Sequence, residues 1–202
     1  TKINLGSNRK VIDIDSGAQH QCALLDNGDV KCFGLNDRGQ LGQGHTDAIG
    51  DDLHEMGNEL APLMLGAPSI AIAVGAKHSC AITNQHKVKC WGNNASGQLG
   101  QDGVVSLGDT AYEVAALSPI TLGQDAIAIA AGASHTCALL ANGTVKCWGE
   151  NLDGQLGQES RANYGDGVGE MAALQAQPGR LAVHQRHIIG LGAAQTFGQH
   201  HA

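Results

Sequence analysis

Three times along the chain a histidine stands two residues before a cysteine, and a second cysteine follows ten residues later. The sets are His20, Cys22 and Cys32; His78, Cys80 and Cys90; His135, Cys137 and Cys147. Residues of these types could ligate zinc, supply a reactive thiol, or close into disulfides. A structural zinc site takes four ligands and usually a C-x₂₋₄-C knuckle, and neither is present. On a strand His20 and Cys22 would share a face but stand about 6.5 Å apart. Redox and catalytic cysteines come as C-x-x-C or as a lone Cys beside a base. One pair in every copy suits structural cross-links instead. The histidines, with a fourth at His201, are then expected to bond the backbone of a neighbouring repeat through one ring nitrogen.

A second recurring set is acidic: Gly50-Asp51-x-x-x-Glu55, Gly108-Asp109-x-x-x-Glu113 and Gly165-Asp166-x-x-x-Glu170. The dense Asp/Asn alternation of a calcium loop is missing, so no metal is expected. One reading is a short helical turn in which a carboxylate meets free N–H groups, and Thr110-x-x-Glu113 has capping-box spacing. The other is a partner-binding rim, to which Tyr112 and Tyr164 would add aromatic anchors. Asn94-Ala95-Ser96 and Asn142-Gly143-Thr144 are sequons, making Asn94 and Asn142 candidate glycosylation sites. There is no phosphate-cradling Gly loop leading into a Lys, no Gly-x-Ser-x-Gly and no His-Glu-x-x-His. Neither catalysis nor a cofactor is expected.

The elements that carry these residues follow from their repetition. HQCALLDNGDVKCFG at 20–34, HSCAITNQHKVKCWG at 78–92 and HTCALLANGTVKCWG at 135–149 each lead into N-x-x-G-Q-L-G-Q. The second Cys falls at 32, 90 and 147, so the period is 58 and then 57 residues. Each block reads as a β-hairpin. Asp26-Asn27-Gly28 makes a three-residue loop with Gly28 at the left-handed bulge position, and Ala141-Asn142-Gly143 repeats it. In the middle copy His86 must take the positive φ, which predicts the most strained turn of the three. Counting inward, Cys22 faces Cys32 at a non-hydrogen-bonded site of close approach, and Cys80/Cys90 and Cys137/Cys147 have the same parity. Ahead of each later hairpin Ile70, Ile72 and Val74, and Ile127, Ile129 and Ala131, alternate as one face of a strand. Approximate units run 11–68, 69–125 and 126–188, with a partial fourth at 189–202.

These blocks resemble the repeats of the regulator of chromosome condensation family: Gly-x-x-His-x-Cys-Ala-Leu, a turn, then Val-x-x-Trp-Gly-x-Asn-x-x-Gly-Gln-Leu-Gly. The hallmark covers Gly17–Gly42, Gly75–Gly100 and Gly132–Gly157. The resemblance implies an all-β fold, a β-propeller whose blades are four-stranded antiparallel sheets, typically seven in a closed ring. Trp91, Trp148 and Phe33 occupy the family's aromatic position and are expected to pack blades. The Cys-flanked form looks like the secreted or microbial branch of the family. About three units and a fragment cannot close such a ring, so either more units flank them or copies join end to end.

The 202 residues include 29 Gly, only 3% aromatic and 15% charged residues, which excludes a bundle of long amphipathic helices. A formal charge of −7 argues against a phosphate-binding surface, so nucleic acid is not an expected partner. No apolar run reaches the roughly 18 residues of a membrane span. The chain opens without Met or a signal-like stretch, as expected of a mature chain or an excised piece. Three structural disulfides predict an oxidising, extracellular or cell-surface compartment. The expected role is a non-enzymatic protein-binding or structural module, secreted, with protein partners or other copies of itself. The alternatives are a secreted enzyme inhibitor or regulator, and a fibre or surface-assembly subunit.

Overall fold

The computed structural model describes residues 2–178. The segment expected to hold the partial fourth unit, including His201, lies outside them. Strands β1 (Val11–Ser16), β2 (His20–Leu25) and β3 (Val30–Gly34) form one antiparallel sheet. A second contains β4 (Ser69–Val74), β5 (His78–Thr83) and β6 (Val88–Gly92). The third contains β7 (Ala126–Ala131), β8 (His135–Leu140), β9 (Thr144–Gly149) and the two-residue β10 (Gln177–Pro178). Helical structure among the described residues is confined to two single turns, α1 (Glu113–Ala116) and α2 (Glu170–Ala173). Among the described residues a fourth strand, two residues long, joins only the third sheet. In the first two it is reduced to Leu63 N–H and Ile120 N–H donating to the outer-strand carbonyls of Val30 and Val88.

The hairpin turns form as their residues require. Leu25 and Asp29 close the first loop, and the bulge residue is Gly28 at φ 85°, matched by Gly143 at 81°. His86 takes the same conformation at φ 59°. The registers pair Cys22 with Cys32, Cys80 with Cys90 and Cys137 with Cys147, and all three pairs are disulfide-bonded.

The inner strands depart from simple alternation. The register of each slips by one residue at its start, between Val11 and Asp13, Ser69 and Ala71, and Ala126 and Ala128. This β-bulge turns Ile12, Ile70 and Ile127 outward, so Ile70 and Ile127 do not share a buried face with Ile72 and Ile129. The inner strands stand side by side, β1 against β4 and β4 against β7, which makes the three sheets adjacent blades.

The core lies between blades rather than within one. Cys22, Leu24, Val30, Cys32, Leu41 and Leu63 of the first meet Ile72, Ala81, Trp91 and Val114 of the second. Cys80, Ile82, Val88, Cys90 and Leu99 of the second meet Ala126, Ile129, Ala138, Trp148 and Met171 of the third. The Cys22–Cys32 and Cys80–Cys90 disulfides therefore present their sulfurs to the next blade. With so few large aromatics, cystine supplies much of the apolar filling of these seams.

Candidate functional site: inter-blade seams and the inserted rim

The seams carry a repeated polar device that the Cys and His spacing only half disclosed. His20 Nε2 lies 2.9 Å from Ser79 Oγ of the second blade, and Ser79 Oγ donates to the Gln40 carbonyl at 2.9 Å. One blade on, His78 Nε2 lies 2.9 Å from Thr136 Oγ1, which donates to the Gln98 carbonyl at 3.0 Å. A hydroxyl has one proton, here given to the carbonyl, so the imidazole must be the donor and carries its proton on Nε2. To the neighbour's backbone, the partner expected of these histidines and met by His20 at His78, the geometry adds the neighbour's hydroxyl. The same carbonyls also accept from Trp91 Nε1 and Trp148 Nε1, each at 3.0 Å. Indole and hydroxyl from one blade close on the Gly-Gln-Leu-Gly turn of the blade before it.

Burial governs the protonation of these rings. Desolvation pushes His20 down to about 4, against the raising effects of a hydrogen bond at His78 and the Asp15 charge. His78 is likewise pushed down to about 4 by burial, with His20 and His135 adding to the effect. Nδ1 of both rings is buried without a hydrogen-bond partner, as a neutral Nε2–H tautomer permits. The rings also explain the Gly that opens each motif. A Cβ at Gly17 or Gly75 would stand 2.7 or 2.1 Å from Cε1 of His20 or His78.

The turn held in the seam is built by its Asn. Asn36 Oδ1 accepts from Leu41 N–H and its amide donates to the His45 carbonyl; Asn94 does the same with Leu99 and Gly103. Asn94 is buried in this role, which corrects its reading as a glycosylation site: a glycan there would destroy the turn. Asn142 is exposed at its hairpin tip, with Oδ1 accepting from Thr144 N–H and Oγ1.

The acidic sets occupy the inserted loops, and Glu has a different task from Asp. Glu55 Oε2 accepts from Gly50 N–H at 2.6 Å and Asp52 N–H at 3.1 Å. Glu113 does so with Gly108 at 2.7 Å and Thr110 at 3.2 Å, and Glu170 with Gly165 at 2.9 Å and Gly167 at 2.8 Å. Only the Glu half of the expected capping box forms, because Glu113 and Glu170 themselves begin α1 and α2. The bonds from Asp52 and Gly50 N–H hold the Glu55 carboxyl below its usual range. Partial burial opposes ionisation of Glu113, but bonds from Thr110 and Gly108 outweigh it. Asp109 moves the other way, raised by desolvation and by the Glu113 charge. Among the described residues no three His, Cys, Asp or Glu side chains converge as a metal site would need.

The clamp presents what lies between Gly and Glu to solvent. Leu53, Tyr112 and Val168, one per loop, are 87%, 83% and 96% exposed. His54 and Tyr112 hold positive φ of 71° and 69°, where the third loop has Gly169 at 81°. Asp51 is exposed beside Leu53, whereas Asp109 and Asp166 are half-buried. Tyr164 is not a free anchor, because it bridges to Gly149 and packs against the second seam. Of the exposed tips only Tyr112 was legible as a site residue, whereas Leu53 and Val168 carry no spacing signal; the seam hydroxyls Ser79 and Thr136 could have been found by aligning the copies.

Comparison with known proteins agrees with this geometry. The model described as "Regulator of chromosome condensation (RCC1) repeat" matches residues 11–40, 70–98 and 126–155, and a second model of that description matches 86–139. The ultraviolet-B receptor UVR8 of Arabidopsis thaliana is 34% identical over 74% of this chain and 32% of its own length. The human probable E3 ubiquitin-protein ligase HERC4 is 31% identical over 78% of this chain and 14% of its own length. This chain thus spans a third or less of those relatives. Among solved structures, yeast RCC1 (Prp20) bound to Kap60 superposes with a TM-score of 0.56 at 25% identity, covering 76% of this chain and 32% of that one. Human WBSCR16 gives a TM-score of 0.59 at 20% identity, covering 77% and 38%. Blade architecture, seam chemistry and repeat hallmark converge: the chain belongs to the regulator of chromosome condensation (RCC1) repeat family of β-propellers.

Proposed function

We propose that this chain is a non-enzymatic, protein-binding propeller segment that works outside the cell and docks its partner on the rim of inserted loops. The observation that carries the reading is the repeated clamp. Each loop is fixed by a carboxylate holding two backbone N–H groups, and each displays an apolar tip at Leu53, Tyr112 or Val168. Fixing a loop whose tip stands largely in solvent among the described residues suits recognition, because ordering entropy is removed before the partner arrives. Positive φ at His54 and Tyr112 adds local strain of the kind found at binding loops. The family context supports a protein partner, since yeast RCC1 (Prp20) has been solved bound to Kap60.

The extracellular assignment rests on three disulfides, one per blade, which persist in oxidising compartments. Affinity capture from the extracellular fraction of the source organism tests the rim. A triple variant, Leu53→Ser, Tyr112→Ser and Val168→Ser, should lose the partners captured by the parent while unfolding at the same urea concentration. Unchanged capture would reject the rim. Alkylation of the protein as isolated from its source, followed by intact-mass measurement, tests the compartment: six modified cysteines would reject it.

A further inference from the structure

The two seams are copies of one joint, but they differ where they reach the rim. Gly44, Asp102 and Glu159 follow the Gly-Gln-Leu-Gly-Gln run of the three blades, and all take positive φ, at 79°, 53° and 52°. In the second seam Asp102 crosses to the third blade, its carboxylate accepting from Gly169 N–H at 3.1 Å and Met171 N–H at 2.9 Å. That side chain ties the turn of one blade to the inserted loop of the next. Gly44 has no side chain to do the same, and in the first seam a groove of about 220 Å³ remains between the blades. Its walls are Gln43, Ala61, Pro62 and Met64 on one blade and Ala111 and Tyr112 on the other. Met64 is 71% exposed. A space below the roughly 300 Å³ at which small-molecule pockets begin suits one side chain of a partner.

The charge around this groove has one sign. Residues 44–62 hold five Asp or Glu and residues 102–118 hold three, and neither stretch has a Lys or Arg. Away from the rim, exposed acids are neutralised across the seams: Asp37 pairs with Lys77 at 2.5 Å and Asp125 with Lys87 at 2.8 Å. Among the described residues no Lys or Arg pairs with an acid of either inserted loop. An apolar slot set in uncompensated negative charge is complementary to an apolar side chain flanked by cations. The same field repels nucleic acid and anionic lipid.

Resting on the rim reading above, we propose that the groove between Pro62–Met64 and Ala111–Tyr112 receives one apolar side chain of a Lys- or Arg-rich segment of a partner protein. The slot sets the register of that segment, and the acids of the two loops steer it in and select its charge.

Fluorescence anisotropy of labelled, amidated heptapeptides against the full 202-residue chain is the test. The probes are Lys-Ser-Lys-Leu-Lys-Ser-Lys, the same peptide with Ser for Leu, and the same peptide with Glu for every Lys. The first should bind at least tenfold more tightly than either of the others. It should also bind at least tenfold more weakly when salt rises from about 0.01 to about 0.15 M, which shortens the screening length from about 30 to about 8 Å. Met64→Ser should weaken the first peptide at least fivefold and leave the Ser peptide unchanged. Asp52→Lys with Glu59→Lys, both exposed, should weaken both Lys peptides. An unchanged urea midpoint shows that each variant folds. No measurable binding of the first peptide, equal binding of the Lys and Glu peptides, or an affinity that Met64→Ser leaves intact overturns the proposal. The rim is judged apart from this: if the triple variant loses its partners while the peptides fail, the rim stands and the cationic segment is rejected.

Discussion

At the seams, Ser79 and Thr136 stand at one position of successive blades, each between a histidine and a glutamine carbonyl, with an indole beside it. At the rim, the position after the clamped Gly-Asp pair is occupied by Asp52-Leu53-His54, Thr110-Ala111-Tyr112 and Gly167-Val168-Gly169, with little in common. The turn between Gly and Glu is nonetheless closed in the same way in every loop, by one glutamate on two backbone N–H groups. The repeat therefore fixes the residues that blades use on each other and leaves free those that face outward. Packing constrains identity, whereas a carboxylate on backbone N–H groups constrains only shape.

The contrast breaks most severely if a seam residue proves dispensable. Trp91→Ala should destabilise by about 3–5 kcal/mol in urea unfolding, since it removes a fully buried ring and the donor to Gln40. Acid should act next, and at the seams first. His20 and His78 sit near 4 when folded against 6.5 when free, so the unfolded chain takes up protons that the folded chain refuses. Their contribution is complete above pH 6.5 and is lost as pH falls toward 4, on the order of 3 kcal/mol for each ring. A pH series of unfolding midpoints on the parent and on His78→Asn should show the variant with the shallower slope. An equal slope would detach the seam from the titration.

Reduction sharpens the same division. Cys22–Cys32 and Cys80–Cys90 are covered by the following blade, whereas Cys137–Cys147 is half-buried among the described residues. Limited reductant followed by alkylation and peptide mass analysis should label Cys137 and Cys147 first. Smaller effects belong to the rim. Glu113→Gln should lose about 1 kcal/mol and speed hydrogen exchange at Gly108 and Thr110, without disturbing the seams. Tyr112→Ser should shift stability by less than about 0.5 kcal/mol, so any loss of partner capture reports binding and not folding.

The hairpins, their turns and the cystine pairing were legible because each depends on local register: Asn27-Gly28 fixes the loop, and parity then sets Cys22 against Cys32. The inner strands were misread at Ile70 and Ile127 because a bulge inserts a residue that alternation cannot register. Asn94 looked available because a sequon describes three residues, while its burial is decided by Leu99 and Gly103 further along. The seam partners of His20 lie 59 residues away, beyond any local pattern. Only superposing one copy on the next brings Ser79 to the imidazole. Tyr112 could be named as an aromatic in an inserted loop, but Leu53 and Val168 had no signature because exposure itself leaves none.

The placement of Cys22–Cys32 and Cys80–Cys90 on faces that a later blade covers has a kinetic consequence. A ten-residue separation lets a hairpin oxidise on its own, as soon as both sulfurs have left the ribosome or the translocation pore. Docking of the following blade then shuts thiols and isomerases out. Cross-linking errors are thus repairable only during the interval between the emergence of one hairpin and the arrival of the next, and the order of synthesis becomes the order in which the sulfur chemistry is made permanent.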